Sequence, residues 1–378
     1  MRVVLDYRAA LSDPTGVGEF TRRLAGSLLQ LAGRDEAARA LQLTLFSSSW
    51  KDRLIVDGEL SLATKVDRRI PVRALNLAWH RLEWPPVELL TRGRFDVAHS
   101  MHPLLMPSRD AARLVTIHDL DFVTHPERTD REIRRDYPAL ARSHAARADR
   151  IIVVSQFTAR EAERLLDVPP ERISICSPGA PAWSAREAGS PLDGYILFFG
   201  TLEPRKNIGT LIDAYERVSR RRPFPRLVLA GKATDAARPW LERINGGWLR
   251  DRVHCTGYVQ PGERQRLYRD ALFLVQPSFE EGFGLPVLEA MTAGVPVVAA
   301  NRGALPEVLG DAGILADAEN PDELAAAIER MADDEALRAG CAARGVERAR
   351  TFSWESTACR TLDAYQQAIR SRADRESA

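Results

Sequence analysis

Cysteine is scarce. Cys176, Cys255, Cys341 and Cys359 are the four in 378 residues, and no pair has the short spacing of a metal knuckle or redox motif. A disulfide scaffold is excluded, and free thiols in a reducing compartment are expected. Long apolar runs are lacking too. No stretch approaches the ~18 residues of a membrane span, and the N-terminal MRVVLDYRAA is charged too early for a signal peptide. A cytoplasmic protein is therefore expected. Peripheral contact with the inner membrane stays open, because a surface helix needs no such run. Charge of one sign is also missing: 53 Lys plus Arg stand against 52 Asp plus Glu, which gives no reason to expect a nucleic-acid partner.

What is present is an ordinary globular composition, 45% apolar and 28% charged. The length suits about two domains of ~100–200 residues. Short β-branched runs alternate with amphipathic stretches, the mark of βα units and parallel sheets. Strands are expected at 2–7, 41–46, 95–99, 114–117, 151–154 and 173–176, with helices at 18–31 and 131–148. Ser155 stands at an N-cap position before QFTAREAERLL. The pattern restarts with strands at 195–199, 227–230, 253–256, 272–276, 295–299 and 313–315. Helices are expected between them at 207–221, 264–269, 286–293 and 321–331. Residues 177–194, rich in Pro, Gly, Ala and Ser, read as a linker. This divides the chain into an α/β domain at 1–180 and a second at 181–353. A last helix, from 354 to about 378, is free to pack on either. Two open sheets of this kind place their crevices beyond the carboxyl ends of the strands.

The stretch FEEGFGLPVLEAMTAGVPVVAANRG, 279–303, carries the most chemistry. Gly282 and Gly284 permit close approach of a ligand to the backbone, Pro286 suits a first helical turn, and Gly294 suits a helix stop. The start of that helix, at Gly284 and Leu285, is a ready anion site. Glu281 before it and Glu289 one turn inside are poor company for phosphate and good acceptors for hydroxyls. The expected layout is a phosphate at the helix tip with hydroxylated rings on either side. In FFGTLEPRKNIGTLIDAY, 198–215, Arg205 and Lys206 precede a helix; cations there oppose the helix dipole, and a bound anion explains them. SDPTGVGEFTRRL, 12–24, offers Gly16 and Gly18 as a GxG turn. Thr21 breaks the full dinucleotide fingerprint, which disfavours a dehydrogenase. His118, directly after an apolar strand, is placed to donate to a hydroxyl or phosphate. The segment 131–150 is locally basic; it is either a solvated helix or a face toward a lipid-linked acceptor.

These residues resemble the retaining glycosyltransferases of family 4, which have the GT-B fold of two Rossmann-like domains facing across a cleft. The similarity covers nearly the whole chain. It is most specific in the E-x7-E motif, Glu281-GFGLPVL-Glu289, and is supported by GTLEPRKN, LVLAGK, CTGYV, VSQFTA and GVPVVAANRGALPEV. The resemblance implies that Glu289 binds ribose, that Glu281 lies beside the transferred sugar, and that Arg205 and Lys206 grip the diphosphate. Backbone of Phe283, Gly284 and Leu285 would touch the sugar and diphosphate. His118 would lie near the donor sugar, and Gly16 and Gly18 near the acceptor. Gly231, Gly257, Tyr258 and Val259 would border the base. Thr201 departs from the Arg usual after that glycine, which places more weight on Arg205 and Lys206. TLEPRKN is similar to mannosyl- and rhamnosyltransferases of bacterial surface-polysaccharide (lipopolysaccharide-type) pathways. The implied reaction is metal-independent, cofactor-free transfer of a hexosyl group to a glycan or lipid-linked hydroxyl. The favoured donor is GDP-mannose, with a UDP-sugar as the other candidate. A nucleotide-sugar epimerase of the same fold and a non-catalytic binding module are the competing readings. A phosphorylase finds no signal for its cofactor lysine.

Overall fold

The computed structural model describes residues 1–11, 16–34, 40–128, 131–187, 189, 191 and 194–377, without the side chains of 131–135, 376 and 377. The chain forms two compact units, Met1–Gly179 with Ser353–Ala378, and Ala180–Phe352.

The first unit is built on a seven-stranded sheet, all parallel. Its strands are β1 (Arg2–Asp6), β2 (Gln42–Ser48), β3 (Thr64–Arg68), β4 (Val97–Ser100), β5 (Ala112–Ile117), β6 (Arg150–Val153) and β7 (Ile173–Ile175), in the order β3-β2-β1-β4-β5-β6-β7. The central strands are apolar runs because helices cover both faces; Val3, Val4, Leu5, Val115 and Ile117 are fully buried. Edge strand β3, TKVDR, was not expected from its polar composition; its half-exposed position tolerates charge. Ser155 caps the Gln156–Leu166 helix by accepting the Thr158 N–H at 3.0 Å. The Trp354–Ser377 helix lies along the Gly16–Arg34 helix and the sheet. Its buried Tyr365 hydroxyl is 2.8 Å from His99 Nδ1, and Thr357 donates to the Ser177 carbonyl at 2.6 Å.

The second unit holds six parallel strands: β8 (Tyr195–Phe199), β9 (Leu227–Ala230), β10 (Val253–Gly257), β11 (Ala271–Gln276), β12 (Val297–Ala300) and β13 (Gly313–Ala316), in the order β10-β9-β8-β11-β12-β13. Phe198, Leu229, Phe273, Val275 and Val298 join one core with the helix Ile208–Ser219. The chain leaves β8 toward β9 on one side and leaves β11 toward β12 on the other. That reversal lies at the carboxyl ends of β8 and β11, where an open α/β sheet seats its ligand. Among the described residues, no helix is long and apolar enough to cross a membrane.

Candidate active site

Two loops meet at that reversal. After β8 the chain makes a 3-10 turn, Pro204–Lys206, ended by Asn207 in the left-handed region at φ 57°. The Asn207 amide donates to the carbonyls of Pro277 at 3.1 Å and Ala318 at 2.6 Å, anchoring the turn to the loops after β11 and β13. After β11, the Phe279 N–H donates to the Arg205 carbonyl at 2.9 Å. The Arg205 guanidinium returns a bond to the Glu280 carbonyl at 3.0 Å. Backbone and side chain together fix the two cations against the acidic loop.

The centre of the arrangement is the Glu281 carboxylate, 6% exposed. Its Oε1 accepts from Lys206 Nζ at 2.6 Å, Ser278 Oγ at 2.7 Å and Gln276 Nε2 at 3.0 Å. Its Oε2 lies 3.5 Å from Arg205. Burial alone would raise its pKa; the charges of Lys206 and Arg205 outweigh that and hold it at about 2. Burial, followed by repulsion from Arg205, lowers the Lys206 pKa against the pull of Glu281. The separate duties read from the sequence, cations for phosphate and acid for sugar hydroxyls, are joined in the structure into one buried network. One Lys206 proton serves Glu281, and an ammonium carries three.

Beside this network the Leu285–Thr292 helix begins at Gly284, which has φ 99° and takes the N-cap position, with Pro286 in the first turn. A Cβ at Gly284 would stand 2.6 Å from Leu305 Cδ2, so both conformation and space demand glycine. Phe283 is buried edge-to-face on Phe352, 5.6 Å between centroids. Gly303, in the left-handed region at φ 62°, backs the Glu281 backbone so closely that a Cβ would meet its N and O at 2.8 Å. The sequence reading did not single it out.

Glu289, one helical turn in, is buried but is not part of the Lys206 cluster. It forms a two-pronged pair with Arg264, 2.5 Å from NH2 to Oε1 and 3.1 Å from Nε to Oε2. The Arg264 guanidinium lies over the Phe199 ring, 4.8 Å from its centroid. Arg264 was missed, because it sits on the helix Pro261–Arg269, far in sequence from either acid. Gln276 and Ser278 were missed as well, although polar residues closing an otherwise apolar strand were a readable signal. Gly231 follows β9 and donates to the Gly257 carbonyl at 3.0 Å. Tyr258 lies beneath Lys232, whose Nζ is 4.8 Å from the ring centroid, with the partly buried Val259 following it.

The remaining expected residues belong to the first unit. His118 follows β5, with its ring edge-on to Phe20 at 5.0 Å. Its Nε2 is shut from solvent without a hydrogen-bond partner, and burial lowers its pKa to about 4, so it is neutral at pH 7. Gly16 and Gly18 do not form a turn: both lie in the first turn of the Gly16–Arg34 helix, whose N-terminus begins two residues earlier than expected. Residues 12–15 of the glycine motif lie outside the described residues.

Family comparisons cover both units. Residues 193–334 match a model described as Glycosyl transferases group 1, and residues 27–182 one described as Glycosyltransferase Family 4. O-antigen chain mannosyltransferase B of Escherichia coli is 37% identical over 278 residues, which is 69% of this chain and 72% of that protein. D-inositol 3-phosphate glycosyltransferase of Corynebacterium glutamicum (strain R) is 32% identical over 59% of this chain and 58% of its own length. Sucrose-phosphate synthase from Thermosynechococcus elongatus superposes with a TM-score of 0.76 at 21% identity, covering 97% of this chain and 98% of that one. Anabaena HepE in complex with UDP and glucose gives 0.66 at 18% identity, over 96% and 98%. Both structural likenesses are of fold: two Rossmann-like parallel sheets, the GT-B architecture.

Proposed function

This chain belongs to glycosyltransferase family 4, and from that premise we propose that it moves a mannosyl group from GDP-mannose to a hydroxyl of a glycan or lipid-linked acceptor with retention of anomeric configuration. The mannosyl reading rests on the similarity to a relative named as an O-antigen mannosyltransferase. The nucleotide-sugar reading rests on a fold neighbour holding UDP and glucose. The single observation that carries the chemistry is the Lys206–Glu281–Arg205 network at the β8/β11 reversal, next to the start of the Leu285–Thr292 helix.

The barrier is separation of charge between an oxocarbenium-like sugar and a departing diphosphate. Lys206, Arg205 and the helix N-terminus meet the negative part with preorganised donors. These cations take the role a divalent ion fills elsewhere, so the reaction needs no metal. Glu281 holds Lys206 in place and keeps its second oxygen for a sugar hydroxyl. Glu289 exchanges Arg264 for the ribose hydroxyls, while Gly231, Tyr258 and Val259 border the base. His118, neutral and with its ring N–H donated to the Met101 backbone, can accept a hydrogen bond at Nε2 and brings no charge. The acceptor oxygen bonds to C1 as the C1–O bond to phosphate breaks, and the acceptor proton passes to the departing phosphate oxygen. We place the reaction in the cytoplasm.

The test is incubation of the full chain with GDP-mannose and a mannose-terminated glycan, with products read by NMR. A mannosylated acceptor that keeps the donor's anomeric configuration, formed undiminished in excess EDTA, is expected. Conversion of donor without acceptor would make the chain an epimerase. Inertness toward GDP-, UDP-, ADP- and dTDP-sugars would make it a binding module.

A further inference from the structure

At the amino ends of β5 and β6, the opposite end of the first sheet from His118, a cavity of about 310 Å³ is lined by Arg113, Arg147, Asp149, Arg372 and Arg375. We propose that this cavity is a binding site for a phosphate-type anion. Four arginines and one carboxylate line it. Asp149 is itself fully engaged: Oδ2 accepts the Arg113 backbone N–H at 2.6 Å and lies 4.0 Å from Arg372, while Oδ1 pairs with Arg375. Glu83 pairs with Arg147. Among the described residues, these two acids stand against the four arginines.

Fastening the end of the Trp354–Ser377 helix needs only Asp149 and the two arginines that the helix contributes. It does not involve the Arg113 guanidinium, while Arg147 is held by Glu83 and by the Ser143 carbonyl at 3.2 Å. Arg113 donates one terminal N–H to the Arg147 carbonyl at 3.1 Å, but its Nε is buried with no hydrogen-bond partner. A shielded N–H with no acceptor is costly, and a bound oxyanion removes the cost. Burial, then the neighbouring Arg372 and Arg147, pulls the Arg113 pKa down. Planar guanidinium forks match phosphate oxygens two at a time, which compact ammonium groups do not. The ligand is either a soluble phosphate or the headgroup of an anionic lipid.

Two arms separate these sources. Pyrophosphate is titrated calorimetrically into protein carrying Lys206→Met, which weakens the proposed donor site, with and without Arg147→Gln plus Arg375→Gln. In parallel, the same proteins are sedimented with phosphatidylglycerol or phosphatidylcholine vesicles. The glutamine pair should weaken pyrophosphate binding, or sedimentation with the anionic vesicles alone, by about tenfold, as expected for loss of charge-assisted hydrogen bonds. The arm that responds identifies the source, and the glutamine pair introduced into protein with native Lys206 leaves donor turnover intact. Equal binding in both arms overturns the site. A check independent of folding is phenylglyoxal labelling of the unaltered protein. Pyrophosphate or anionic vesicles should protect Arg147 and Arg375, and labelling unaffected by either rejects the proposal.

Discussion

Lys206 and Glu281 lie 2.6 Å apart, with 8% and 6% of their surfaces in solvent. Breaking such a pair strands a charge, at a cost of about 3–5 kcal/mol, although Arg205 moderates it here. Lys206→Met should therefore lower both stability and turnover, and adding Glu281→Gln should recover most of the stability by removing the stranded carboxylate. Turnover should stay about 10²–10³ down in the double variant, since the donor aimed at the leaving diphosphate is still missing. Denaturant unfolding and initial rates separate the two effects, and wild-type turnover in the double variant would remove Lys206 from the chemistry. At this scale the sequence named the participants but not their pairing. Seventy-five residues separate Lys206 from Glu281, and no spacing rule spans two βα units. Arg264, which holds Glu289, was invisible for the same reason, being one arginine among many on a polar helix.

Elements were more legible than contacts. Strands buried on both faces announce themselves as short apolar runs, and β8 and β9 begin and end where that pattern places them. The helix from Leu285 to Thr292 was readable from its Pro start and Gly294 stop, the latter at φ 70°. Elements whose stability comes from packing were not. Helix Glu335–Ala349, EALRAGCAARGVERA, is built mostly of Ala, Gly and Arg, and shows little apolar periodicity. Helix Arg238–Asn245 has few buried residues to reveal a face. Gly16 was read as a loop residue on glycine's turn preference, yet it opens a helix whose later turns bury Phe20, Leu24 and Leu28. Burial of that stripe outweighs the propensity penalty of about 1 kcal/mol per glycine.

At the scale of the molecule, the described histidines with lowered pKa all lie in the first unit. Burial lowers the pKa of His80 and His99 to about 3, and of His118 and His144 to about 4. The unfolded chain takes up these protons near pH 6.5 and the folded one does not. Stability of this unit therefore falls as pH drops from about 6.5 toward 4, by up to about 1.4 kcal/mol per histidine per pH unit. The buried Glu281 of the second unit, ionised down to about pH 2, weakens its unit only below the ordinary carboxylate range. Thermal unfolding followed by hydrogen exchange at pH 7.5 and 5.0 should show residues 1–179 destabilised first. Equal protection at both pH values would contradict the histidine account. The measurement that bears most directly on the central claim, a donor diphosphate held at the β8/β11 reversal, is calorimetric titration of GDP and of guanosine into the wild-type chain and the Lys206→Met/Glu281→Gln variant. The account expects GDP to lose about tenfold or more in affinity in the variant while guanosine binds both proteins alike. GDP binding with equal affinity to the two proteins would place the diphosphate elsewhere.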